Sequence, residues 1–191
     1  QNAAVLRVNN DASVQWMKKY SFTMATALKK VSGGFVVAGL KRDGNTTGYY
    51  DGVIMKTTED GTPAWYSQYG LAERFCELYS VDTALDGSIM AAGSISTWNG
   101  DRSVQDFWVL RCSQHDGSIT WQKAYNAGGQ DETAKFIEFA VDDTFVLTGN
   151  SNTRDTSDVL SMKIDNNGQV QWQKLYNVGS AYGSEIHVSS Y

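Results

Sequence analysis

Apolar and polar residues alternate along this chain in short runs bounded by Gly, Asp and Asn, the pattern of strands joined by tight turns. No 3.6-residue helical period persists over any useful length. The clearest unit is VLSMKIDNNGQVQWQKLY, residues 159–176. It reads as a strand, a turn at Asn167-Gly168, and a second strand carrying Trp172, with Tyr176 four residues on. Asn-Gly and Asp-Gly favour such turns because Gly and Asn tolerate positive φ. Asp116-Gly117 leads in the same way to Trp121 and Tyr125, Asp60-Gly61 to Trp65 and Tyr69, and Asp11-Ala12 to Trp16 and Tyr20. The tryptophans are 49, 56 and 51 residues apart, and Arg7, Lys56, Arg111 and Lys163 stand nine or ten residues before them. Four in-phase copies mark a repeat protein, and this period points to solenoids, propellers or arrays.

Four strand positions, a to d, describe each repeat. The chain opens on c and d, at residues 3–8 and 14–20. The first full repeat places a at 23–31, b at 35–39, c at 52–57 and d at 64–69. The second places them at 75–84, 88–93, 107–112 and 119–125, and the third at 133–141, 144–149, 159–164 and 170–176. The closing GSEIHVSSY reads as one more strand a with no b after it. The repeats are thus 1–20 (partial), 21–69, 70–125, 126–176 and 177–191 (partial), within one domain. Strand b is nearly all apolar (FVVAG, IMAAG, FVLTG), as suits a strand covered on both faces. Four strands per repeat of about 50 residues predict an all-β fold, a β-propeller of about four blades with the terminal blade incomplete. A sandwich with this strand count would not need Trp and Tyr in phase.

The pattern D-x-W/V-L-L/M-K … D-G/N-G-x-x-x-W-Q-K-x-Y … D-G-x-x-x-A-G resembles a repeat of secreted bacterial and archaeal proteins predicted to be β-propellers. Its turn and Trp also resemble the tryptophan-docking motif of quinoprotein-like propellers. The resemblance runs over almost the whole chain and speaks to architecture, since one fold serves many functions. It implies that Trp16, Trp65, Trp121 and Trp172, with Tyr20, Tyr69, Tyr125 and Tyr176, are structural. Each would dock between adjacent blades and bury about 150–250 Å². The alternative is a ring of sugar-stacking aromatics. No residues map onto a quinone-cofactor site, so no such chemistry is carried over.

Charge and composition narrow the function. The net charge is −5 and the pI about 4.9, without a basic stripe, which argues against nucleic acid as a partner. No apolar run approaches the ~18 residues of a membrane-spanning helix. Cys76 and Cys112 are too few for a secreted disulfide framework and are expected to be free. The chain begins at Gln1, as a mature secreted protein or an excised piece would, and the expected location is extracellular or at the cell surface. His115 and His187 stand apart, Asp142-Asp143 reads as a turn, and neither GxSxG nor a phosphate loop occurs, so no enzyme is expected.

Binding is expected on the b–c loops, which carry the ligand candidates Tyr49, Tyr50, Trp98 and Arg154, with glycans as the ligand class. Asp43, Asn45, Asp101 and Asp155 make the same loops oxygen-rich, and calcium is the cation they would hold. None matches a known calcium-loop spacing, and no other cofactor is expected. Asp51, Asp106 and Asp158 precede each strand-c cation by five residues and read as loop-pinning carboxylates. Asn45-Thr46-Thr47 is a glycosylation sequon.

The two ends are complementary, c-d at one and a at the other. They would close a small ring, belong to a larger propeller of which this is a fragment, or pair with another copy. The expected function is a non-enzymatic extracellular structural or interaction module that self-associates through its terminal strands. The alternatives are a glycan-binding propeller and a fragment of a larger secreted propeller.

Overall fold

A computed structural model describes residues 2–42, 48–71, 74–98, 103–127, 131–152, 157–177 and 183–187. The protein is all-β: no helix occurs among the described residues, and none is long and apolar enough to cross a membrane. It opens on a hairpin, β1 (Ala3–Val8) with β2 (Val14–Tyr20). Three four-stranded antiparallel meanders follow. The first is β3 (Met24–Val31), β4 (Gly34–Arg42), β5 (Tyr50–Thr58) and β6 (Pro63–Tyr69). The second is β7 (Cys76–Thr83), β8 (Ile89–Trp98), β9 (Ser103–Cys112) and β10 (Ile119–Tyr125). The third is β11 (Asp131–Ala140), β12 (Thr144–Asn152), β13 (Ser157–Asp165) and β14 (Val170–Tyr176). A single parallel pair, Asp131 with Gln105, joins the second and third ladders.

Period-2 alternation gives the sheets apolar faces, and these meet in three successive interfaces. Val5 and Tyr20 of the hairpin pack on Val37, Val53 and Met55 of the first meander. Val36, Ala38 and Ile54 on its other face meet Leu78, Ile89, Trp108 and Leu110 of the second. Met90, Ala92, Phe107 and Val109 then meet Phe145, Leu147, Leu160 and Met162 of the third. Each fully buried side chain of this kind contributes about 1.5–3 kcal/mol. Cys76 and Cys112 are buried in the middle interface as free thiols. Burial pushes the Cys112 thiol up to about 11.

The first strand of each meander carries one irregularity at the same place, between Ala25 and Ala27, Leu78 and Ser80, and Ala134 and Phe136. There the backbone presses against the glycine ending the apolar run of the second strand. A Cβ on Gly39, Gly93 or Gly149 would lie 2.2, 1.7 or 1.9 Å from a carbonyl oxygen of that first strand. Only glycine allows such close approach, which explains the A-G and T-G that close each apolar run.

Two expectations need correction. Tyr50 and Trp98 were expected in loops, but Tyr50 opens β5 and Trp98 ends β8. The ladders outlast the apolar runs because polar side chains beyond them find partners, as where the Phe75 amide donates to Ser96 Oγ at 2.9 Å. The closing segment was expected to be a strand, yet its described part, 183–187, forms none. It lies against the third meander instead. The Gly183 amide donates to Asn150 Oδ1 at 2.9 Å, and His187 Nδ1 is 3.3 Å from Glu138 Oε1.

Candidate functional site: an indole-to-carbonyl docking junction

The repeated residues meet at the boundaries between sheets. Cross-strand pairing sets Arg7 opposite Trp16, Lys56 opposite Trp65, Arg111 opposite Trp121 and Lys163 opposite Trp172, so cation and indole share one face. In the first three copies both reach the same atom of the next sheet. Trp16 Nε1 donates to the Glu59 carbonyl at 3.1 Å, and Arg7 Nη1 donates to it at 3.0 Å. Trp65 and Lys56 donate to the Gln114 carbonyl at 3.0 and 3.2 Å. Trp121 and Arg111 both donate to the Asn166 carbonyl at 2.9 Å. One carbonyl with two donors satisfies both lone pairs at the turn.

The tyrosines complete the junction. Tyr20, Tyr69 and Tyr125 hydroxyls donate to the carbonyls of Gly61, Gly117 and Gly168 at 2.8, 2.7 and 2.9 Å. Burial pushes all three phenols up, so each remains a donor through the neutral range. The turn glycines serve twice. Their φ values of 77°, 75° and 69° lie in the left-handed region, and a Cβ there would fall 3.0, 2.8 and 2.8 Å from the ring of Trp16, Trp65 and Trp121.

The turn carboxylates rigidify the receiving side. The Thr58 hydroxyl, then the Thr62 amide and hydroxyl, with Lys18 adding charge, hold Asp60 down at about 2. The amide and hydroxyl of Ser118 lower Asp116, and the hydroxyl and amide of Ser13 lower Asp11.

Among the described residues the fourth copy has no turn to dock on. Trp172 is 42% exposed and Tyr176 41% exposed. Lys163 turns within its own sheet to Asp142 Oδ2 at 2.5 Å. The matching receiver, the turn of the first hairpin, is equally empty. Ala12 N bonds to the Asn9 carbonyl as Gly61 N bonds to Thr58, which puts Asn10 in the place of Glu59. No donor among the described residues reaches the Asn10 carbonyl.

Of the loop candidates, Tyr49 and Tyr50 have described side chains, and both rings pack against Phe75, Tyr49 edge-on at 4.9 Å and Tyr50 at 6.5 Å. Tyr50 lines a cavity of about 600 Å³ with Thr23, Met24, Leu40, Glu77 and Tyr79, where the Tyr79 hydroxyl donates to Glu77 at 2.7 Å. The side chain of Trp98, and all of Arg154, Asp43, Asn45, Asp101 and Asp155, lie outside the described residues, as does the sequon. No group of three or more metal-ligating side chains occurs among the described residues. Asp106 instead accepts from Asn126 Nδ2 at 2.8 Å, and Asp51 accepts from Gln68 Nε2.

Fold and junctions together define an all-β repeat protein whose sheets are joined in series by indole-to-carbonyl docking. The sequence matches no family model, and no curated protein matches it.

Sequence reasoning found the aromatic repeat but missed the receiving carbonyl and the role of the cation. The constant nine- or ten-residue offset from cation to Trp carries that signal, because it is the reach of one hairpin.

Proposed function

We propose that the chain is a non-enzymatic, extracellular interaction module of β-propeller type that assembles through the free docking face of β14. One observation carries the reading: three copies of the Trp-Tyr-cation set each engage a turn, while Trp172 and Tyr176 stand exposed. An exposed motif whose other copies are all occupied marks an interaction site. The propeller arrangement is supported by a cavity of about 550 Å³ lined by Met24, Ala25 and Thr26 of β3, Tyr79 of β7, Lys135 of β11, and Gly183 and Ser184. First strands of successive sheets converge on an axis in that fold. Light scattering across a concentration series tests the assembly. Concentration-dependent mass above the 21.0 kDa of one chain is expected, with Trp172→Ala reducing it. A strict monomer at every concentration would sink the reading.

A second reading is glycan binding at the Tyr50 cavity, favoured by Tyr50 and Tyr79 together with the Glu77 carboxylate in one concavity. Titration with a panel of oligosaccharides, wild type against Tyr50→Ala, decides it; no chemical-shift change in either would exclude it.

A further inference from the structure

We propose that the surface receiving Trp172 is the first hairpin of a second copy, and that the Ala12 methyl keeps this contact weak and exchangeable. The inference rests on the assembly reading above and adds its partner and its limit.

At each internal junction the docking face of one sheet meets the opposite face of the next. On that receiving face the third strand presents Met55, Leu110 and Met162, each buried. Leu6 is the matching residue of β1, one position before Arg7 as Met55, Leu110 and Met162 are one before Lys56, Arg111 and Lys163. Leu6 is 52% exposed, and its cross-strand partner Met17 is 62% exposed. Val8 and Val14 beside them are exposed too. The chain therefore carries an exposed docking set at Trp172 and Tyr176, beside the part of that face covered by Gly183, and an exposed receiving face at β1–β2. Their Trp-Tyr-cation set and hairpin turn correspond in position to those of the three internal junctions.

A chain does not close these faces on itself here. Leu6 and Met17 on one and Trp172 and Tyr176 on the other are exposed, so the two faces do not cover each other. The hairpin is anchored elsewhere, through Trp16, Arg7 and Tyr20 on the turn at Glu59 and Gly61. Those bonds use the face opposite Leu6 and Met17, so a second copy reaches the receiving face without disturbing them.

Ala12 sets the strength. It occupies the place of Gly61, Gly117 and Gly168 with φ 65°, the only one of the four turn positions that carries a Cβ. An indole seated as at the internal junctions would meet a methyl at about the 2.8–3.0 Å found for Cβ atoms built there. The ring must lift, which overpacks the contact and lengthens its bond to Asn10.

Sedimentation equilibrium of wild type, Ala12→Gly, Met17→Glu and Trp172→Ala tests this, with circular dichroism to confirm folding. Ala12→Gly is expected to tighten self-association about tenfold, and Met17→Glu and Trp172→Ala each to weaken it about tenfold. A wild type monomeric at every concentration beside a self-associating Ala12→Gly would overturn the assembly reading and with it this inference. Association lost in Trp172→Ala but unchanged in both hairpin variants would overturn the hairpin as receiver and leave the assembly reading standing. Wild type and Ala12→Gly both monomeric would overturn both. So would Ala12→Gly quenching Trp172 emission without a change of mass, which would assign closure to one chain.

Discussion

The outward faces of the second and third meanders carry the same docking set on different grounds. Around Trp121 the second meander offers Ala92, Phe107 and Val109, all fully buried. At the matching positions around Trp172 the third meander offers Thr148, Val159 and Ser161, with Asn150 alongside. Thr148 Oγ1 lies 3.3 Å from both the Leu160 carbonyl and Ser161 Oγ, and Asn150 accepts from Gly183. Their polar groups are therefore satisfied within the chain. The same motif thus serves a permanent interface where the ground is apolar, and stands with Trp172 and Tyr176 exposed where the ground is polar, buried and partly covered by Gly183. Permanent interfaces resemble a core cut in half, and exchanging ones do not.

Four changes would break or sharpen this contrast, in falling order of effect. Trp121→Ala removes a docked ring and its bond to the Asn166 carbonyl and should cost about 3 kcal/mol in urea unfolding, whereas Trp172→Ala should cost under about 1 kcal/mol. Equal losses would mean that the two faces do not differ. Gly117→Ala places a methyl on the Trp65 ring at φ 75° and should cost about 2 kcal/mol, while Ala12→Gly should stabilise by about 1 kcal/mol because the left-handed region strains alanine. A neutral Gly117→Ala would remove the steric basis of the junction.

Thr148→Val with Ser161→Val should leave the melting temperature within a few degrees and raise self-association several-fold, as measured by light scattering. No gain would show that the polar ground does not limit assembly. The smallest effect concerns pH. Asp60 sits below its ordinary value when folded, so its contribution is complete above about pH 4 and fades as the pH falls toward 2. Asp60→Asn should flatten the acid limb of the stability curve in that window, and an unchanged limb would assign the acid loss to other carboxylates.

The hairpin turns, the aromatic repeat and the apolar second strands were legible because each rests on residue identity. Asp60-Gly61 and Asn167-Gly168 name their own turns. Strand ends were less legible: β8 continues through Ser94 and Ser96, whose hydroxyls find partners, so hydropathy stops where the ladder does not. The receiving atoms were invisible, since the carbonyls of Glu59, Gln114 and Asn166 belong to three different residues and act through backbone alone. Tyr50 was placed in a loop because its polar surroundings hid the pairing of Arg42 with Tyr50.

Every docked indole points from one sheet to the turn of the sheet that follows it in the chain, never back. Assemblies propagated by that contact have two unlike ends, one offering an indole and the other a turn. A Trp172→Ala copy can still receive a neighbour's indole but offers none of its own. Added in small proportion, it should act as a chain terminator at one end only, shortening assemblies far beyond its stoichiometric share.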